Sequence, residues 1–310
     1  MRAPARGGNA RRPKFTGPAP PCRLVAHARA PYISAMEQKR PSLPARLLRL
    51  PPRVNMVRLQ GMIAARGAGG LSDATIGPVL ERAFRAGRPQ AVALAINSPG
   101  GSPAQSSLIA ARIRRLAEET ETPVHAFVED AAASGGYWLA TAADDIHCDA
   151  CSVLGSIGVI YSGFGLHELI DRNGIERRVH TAGKSKSQLD MFRPEKPEDV
   201  ARLETLMGQL HEAFIAQVKD RRGDKLAGDT ELFDGTFWLG AEAVKLGLAD
   251  GIGHLRPVLK ERYGKRVRVV GYGMRRPLLS RLGLDRAAGQ MAEAALDIAE
   301  ERALRARLGV

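Results

Sequence analysis

With 310 residues, 44% of them hydrophobic and 25% charged, the chain holds enough apolar material for one large or two ordinary domains and is not a disordered protein as a whole. Its net charge of +13 invites a nucleic-acid or membrane reading, but residues 1–60 carry thirteen basic side chains against Glu37 alone, so nearly all of the excess sits in one arm. Three cysteines, Cys22, Cys148 and Cys151, exclude a disulfide scaffold and make a reducing, cytoplasmic compartment the expectation, and no run approaches the ~20 apolar residues of a membrane helix.

Residues 1–53, rich in Pro and Arg without an apolar period, read as a disordered basic arm with a short helix at Ala45–Leu50; Met36 is an alternative start. The folded domain is expected over 54–265. Val54–Ile63 reads as a strand, Asp73–Ala86 as a helix capped by Ser72, and Ala91–Asn97 as a fully buried strand, which makes a β-α-β crossover. Ala104–Glu119 shows helical spacing and Val124–Val128 is the next buried strand. The pattern repeats with a helix at Ser134–Ala142 and strands at Asp145–Cys148, Ile157–Tyr161 and Arg177–Thr181. Helices follow at Pro197–Arg221 and Ala241–Leu246. Residues 266–310 form a C-terminal extension whose segment Arg286–Leu308 is amphipathic and suited to docking on the domain or on a second subunit. Strands alternating with helices predict an α/β fold of β-α-β units with a largely parallel sheet covered on both faces.

Three glycine-containing knots close predicted elements, at the strand ends where open parallel sheets build their sites. They are Asn97-Ser98-Pro99-Gly100-Gly101, Ala133-Ser134-Gly135-Gly136-Tyr137 and Gly155-Ser156-Ile157-Gly158-Val159. Ser134 stands between a buried strand and a helix, where a hydroxyl is exposed on a sharp turn. The Gly100-Gly101 pair lets backbone amides approach a developing oxyanion. A serine nucleophile needs a base, and none of the seven histidines lies in a glycine-framed loop of its own. Lys184 and Lys186, in Gly183-Lys184-Ser185-Lys186-Ser187, are the candidates; a lysine serves if it is unprotonated at rest.

In this order the three knots resemble the signal peptide peptidase A family of serine peptidases, including its SohB-type members. The resemblance spans about Val54 to Arg262 and takes in Phe233-Asp234-Gly235 and Gly247-Leu248-Ala249-Asp250. It implies a Clp/crotonase-like fold, with Ser134 as nucleophile and Lys186, the second lysine after Gly183, as general base. It further implies Ser156 as the residue that orients the base, and Gly101 and Gly135 as oxyanion-hole amides. The reaction implied is endopeptidase cleavage through an acyl-enzyme intermediate, in a ring-like homo-oligomer enclosing the sites, with unstructured or apolar peptides as substrates. Two rivals stand beside it: a crotonase-like acyl-CoA enzyme, and a catalytically idle assembly or adaptor protein.

Plainer readings account for the other signals. His147, Cys148 and Cys151 make a Cys-x-x-Cys, but a structural zinc site needs four ligands and no second pair exists, so neither metal nor cofactor is expected. The basic arm has only Phe15 and Tyr32 for stacking, which argues against specific nucleic-acid reading. Weak attraction of that arm to an anionic membrane surface is expected instead.

Overall fold

The computed structural model describes residues 51–65, 70–183, 186–228, 231–273 and 301–302. Most of the basic arm and of the amphipathic segment Arg286–Leu308 therefore lies outside the described residues. The chain enters the sheet through β1 (Arg53–Gln60) and crosses by helix α1 (Asp73–Arg85) to β2 (Ala91–Ser98). Ser72 caps α1 as expected, accepting from the Thr75 N–H while the Thr75 hydroxyl reaches back to the Ser72 N–H. Helix α2 (Pro103–Glu119) then leads to β3 (Val124–Ala133), α3 (Gly135–Ala140), β4 (Asp145–Cys148) and β5 (Val153–Gly155). The later elements are α4 (His167–Arg172), the long α5 (Pro197–Arg222), β6 (Phe237–Leu239), α6 (Gly240–Lys245), β7 (Gly251–Ile252), α7 (Leu255–Tyr263) and β8 (Arg268–Tyr272).

The eight strands form one sheet in the order β6-β5-β3-β2-β1-β8, with β4 pairing β3 and β7. Every pairing is parallel except β5 with β6, so the α/β architecture with a largely parallel sheet is the one observed. Alternation along β2 sorts its side chains between two cores. Val92, Leu94 and Ile96 face a large cluster with α1, α2, α3 and α5, while Ala91 and Ala93 face a small one with Leu259 of α7. Small residues on that second face let a single helix settle close against the strands.

Several boundaries differ from the sequence reading. β3 runs five residues past Val128, because Glu129 and Asp130 interrupt the apolar run without ending the strand. The β2–β3 register shifts there, between the Ile96 and Ser98 pairings. Ile157–Tyr161 is not a strand: the strand is Val153–Gly155, and Ile160 and Tyr161 are exposed. Arg177–Thr181 is irregular, because its side chains are exposed rather than paired against the sheet. The segments β6, β7, α7 and β8 were not foreseen.

β3 borders two strands on one side, β4 along its lower half and β5 along its upper half. The lower end carries a polar cluster. His125 is buried and pairs with both Asp145 oxygens at 3.0 Å through one ring nitrogen and with the Tyr263 hydroxyl at 2.6 Å through the other, while Arg262 also reaches Asp145. Burial opposes ionisation of Asp145, but hydrogen bonds from His125 and Arg262 outweigh it and hold the carboxyl down to about 2. This cluster ties α7 to the sheet. Eight residues of β3 lie between His125 and Ser134, roughly 30 Å along an extended strand.

Candidate active site

The upper half of β3 ends at Ser134, which takes φ 50° and ψ −121° between strand and helix. That strained turn is the conformation that lifts a nucleophile out of the sheet on a sharp elbow. Its backbone is tied on both sides: the N–H donates to the Gly155 carbonyl at 2.8 Å, and its carbonyl accepts from Tyr137 and Trp138 of α3. Among the described residues its hydroxyl has no hydrogen-bond partner.

The first knot wraps against this elbow. A Cβ placed on Gly100 would sit 2.9 Å from the Ser134 Cβ and 2.9 Å from the Gly135 nitrogen. One placed on Gly135 would sit 3.4 Å from the Gly101 nitrogen. The two amides therefore flank Ser134 in one small space. Neither the Gly101 nor the Gly135 N–H has an acceptor among the described residues; Gly135 is buried, whereas Gly101 is exposed. Gly101 has φ 137° and backs onto Ile63, whose carbonyl oxygen would lie 2.1 Å from any added Cβ. Only glycine fits there.

Ser156 stands beside Ser134 because Ala133 and Gly155 are register partners and both chains turn upward one residue later. It too has positive φ, 52°, and its N–H is held by the Thr236 carbonyl at 2.8 Å. The structure thus brings together Ser134, Gly101, Gly135 and Ser156 at the upper ends of β2, β3 and β5. Lys186 is elsewhere. It lies in an arm, residues 159–183 and 186–196, whose surface is largely exposed, and it lines a cavity of about 1080 Å³ with Tyr161, Phe164, Arg177 and Met191 but without Ser134. Among the described residues its amine has no hydrogen-bond or ion-pair partner, and its rival Lys184 lies outside the described residues.

Sequence reasoning missed Ile63, which carries the backbone that Gly101 abuts and places its Cδ1 3.3 Å from a Gly135 Cβ position. It reads as the last residue of an apolar strand, and no local signal distinguishes it. No helix among the described residues is long and apolar enough to cross a membrane, and no cluster of metal-ligating side chains occurs among them.

Comparison with known proteins agrees with the knots. The sequence model of "Peptidase family S49" matches residues 117–266. A Brucella abortus protein named as the Na(+)/H(+) antiporter NhaA is 44% identical over 291 residues, covering 87% of this chain and 40% of its own length. Protease 4 of Haemophilus influenzae is 35% identical over 225 residues, covering 68% of this chain and 35% of its own. The chain thus spans well under half the length of either relative. A solved structure titled as the 1510-N membrane-bound stomatin-specific protease with a substrate peptide overlaps 76% of this chain and 97% of its own at 16% identity and a TM-score of 0.47. On the family match and the relatives that share it, this chain belongs to peptidase family S49.

Proposed function

We propose that the chain is a serine endopeptidase that cleaves unstructured or apolar peptides with a Ser134–Lys186 dyad. The observation that carries this reading is the enclosure of Ser134 by two unpaired amides, those of Gly101 and Gly135, on a strained elbow. Amides without an acceptor are available to a substrate carbonyl that develops negative charge.

In the proposed reaction the Ser134 Oγ attacks the scissile carbonyl carbon as its proton passes to the Lys186 amine. The tetrahedral oxyanion is held by the Gly101 and Gly135 N–H groups. The C–N bond then breaks, Lys186 returns the proton to the leaving amine, and an ester remains on Ser134. Water, deprotonated by the same lysine, hydrolyses that ester and restores the hydroxyl. Ser156, the residue after β5, orients the base. No metal or cofactor takes part.

Lys186 comes to Ser134 when the arm packs in a homo-oligomer. Support lies in the arm's surface: Ile160, Phe164, Leu169 and Ile175 are each more than half exposed, with Phe164 at 80%. Apolar side chains gathered in one segment mark a surface that a partner covers. A lysine that accepts a proton must be unprotonated at rest, so the rate should climb toward alkaline pH.

The test is mass-spectrometric mapping of a fluorophosphonate adduct together with hydrolysis of an apolar fluorogenic peptide. The adduct is expected on Ser134, with hydrolysis lost in both Ser134→Ala and Lys186→Met. Full hydrolysis by either variant removes that residue from the dyad, and a wild-type protein that neither labels nor hydrolyses overturns the reading.

A further inference from the structure

Past the end of β1, Met62, Ile63 and Ala64 form a narrow strip with a neighbour on either side. On one side Leu71 donates its N–H to the Met62 carbonyl at 2.8 Å and its carbonyl accepts from the Ala64 N–H at 2.9 Å. On the other, the Ile63 N–H donates to the Gly100 carbonyl at 2.8 Å and the Ile63 carbonyl accepts from the Ser102 N–H at 2.7 Å. This second pair of bonds is a parallel bridge between Ile63 and Gly101. The side chains of Ile63 and Leu71 are buried in the large core, so the strip is anchored independently of the turn it holds.

A trans peptide is planar, and its N–H points opposite to its C=O. The Gly100 carbonyl and the Gly101 N–H share one such plane, so the bond that draws the carbonyl toward Ile63 turns the N–H away from it. Rotating this plane changes ψ of Gly100 and φ of Gly101 together. Both residues are glycines, with φ of 109° and 137°, so sterics offer little resistance to a flip. The flipped plane would present the partly negative Gly100 carbonyl oxygen where the active turn presents a donor. The neighbouring planes are held separately, by the Ser98 hydroxyl on the Gly100 N–H at 3.3 Å and by the Ile63 carbonyl on the Ser102 N–H. Among the described residues the Ile63 N–H makes the one hydrogen bond on the plane that carries the Gly101 N–H.

Resting on the peptidase reading above, we propose that Ile63 is a positioning residue for the oxyanion hole: its backbone N–H latches the Gly100–Gly101 peptide in the orientation that leaves the Gly101 N–H free for the oxyanion. Ile63 supplies no atom to the reaction and acts through that one plane. A turn released from the latch spends part of its time flipped, with the donor withdrawn. The loss falls on the transition state, where the charge develops, and much less on the bound peptide.

The test replaces single backbone amides of the full chain by esters, using the α-hydroxy acid that keeps each side chain. An ester at position 63 deletes the Ile63 N–H and also weakens the Met62 carbonyl as an acceptor from Leu71. An ester at position 71 deletes that Leu71–Met62 bond outright and leaves the latch intact, so it controls for loosening of the strip. Loss of one oxyanion donor typically lowers kcat about 100- to 1000-fold; a donor present but unlatched should lower it about 10- to 100-fold at position 63, with KM changed less than about threefold. Affinity for a peptide boronate, which mimics the tetrahedral oxyanion, should fall in parallel. The position-71 ester should keep kcat and boronate affinity within about threefold of wild type. Equal losses in the two esters, no loss at position 63, or a loss expressed wholly in KM overturns the proposal. Should the position-63 ester fail to fold, amide hydrogen exchange in the wild type decides: Ile63 should be protected with or without boronate and Gly101 only with it, and an Ile63 amide that exchanges as fast as that of Gly101 overturns the latch. Fluorophosphonate labelling separates the two readings: a wild type that labels on Ser134 beside a position-63 ester of undiminished kcat sinks this inference alone, whereas a wild type that neither labels nor hydrolyses overturns both.

Discussion

Replacing Gly101 by alanine puts a methyl group where the structure has none to spare. The added carbon would lie 2.1 Å from the Ile63 carbonyl oxygen and 2.9 Å from the Ile63 nitrogen. A carbon normally stays about 3.3 Å or more from such an oxygen, so the turn must retreat by roughly 1 Å. The positive φ of 137° adds backbone strain on the order of 1–3 kcal/mol. A hydrogen bond to an oxyanion is made within about 2.7–3.1 Å, so a 1 Å displacement breaks it and should lower kcat about 100- to 1000-fold, equivalent to roughly 2.7–4 kcal/mol. Strain and displacement can be separated with Gly264→Ala, since Gly264 has φ 91° but open space around its Cβ position. That variant should lose stability without losing kcat. The assay is steady-state hydrolysis of a fluorogenic peptide alongside thermal unfolding of all three proteins. A folded Gly101→Ala protein with kcat within about threefold of wild type would refute the assignment of this amide to the oxyanion.

Two further expectations concern the scaffold. The Asp145 carboxyl, held down to about 2 from an ordinary 3.8, contributes stability that is fully present above about pH 4 and is lost as pH falls toward 2. The shift corresponds to about 2 kcal/mol, so urea unfolding should show wild type weakening across that window while Asp145→Asn is weaker at pH 6 and flatter below 4; parallel curves would rule the linkage out. Tyr137 is fully buried and donates from its hydroxyl to the Leu248 carbonyl at 2.9 Å, so Tyr137→Phe leaves that carbonyl unpaired and should cost about 1–3 kcal/mol by denaturant titration. A cost below experimental error would mean water replaces the hydroxyl.

What the sequence made legible follows a physical division. Elements whose own residues settle them came through: β2 is an unbroken buried run, α1 has its cap and α2 its apolar stripe. Elements settled by distant partners did not. β8 exists because it lies parallel to β1, more than two hundred residues earlier in the chain, and β6 because it runs antiparallel to the three residues of β5. Ile157–Tyr161 misled for the converse reason. Its branched and aromatic residues suit a strand, but the sheet offers no neighbour there, and Ile160 is 62% exposed.

The candidate site divides along the same line. Ser134, Gly101, Gly135 and Ser156 meet because parallel register places the ends of β2, β3 and β5 side by side, and local turn chemistry does the rest. Their convergence was legible in three short motifs, since each motif fixes its own backbone and the sheet supplies the spacing. Lys186 has no such frame. Its N–H makes a long 3.3 Å bond to Gly183 and the arm around it keeps apolar side chains in water, so nothing in the packing of one chain sets where its amine stands. Burying a side chain such as Phe164 or Ile175 is worth about 1.5–3 kcal/mol each, and several together would hold the arm once a second surface covers them. A catalytic amine carried on that arm would acquire its position in the same event. Assembly and base activation would then be one equilibrium, and peptide hydrolysis should track the oligomer's concentration dependence instead of remaining proportional to total chain.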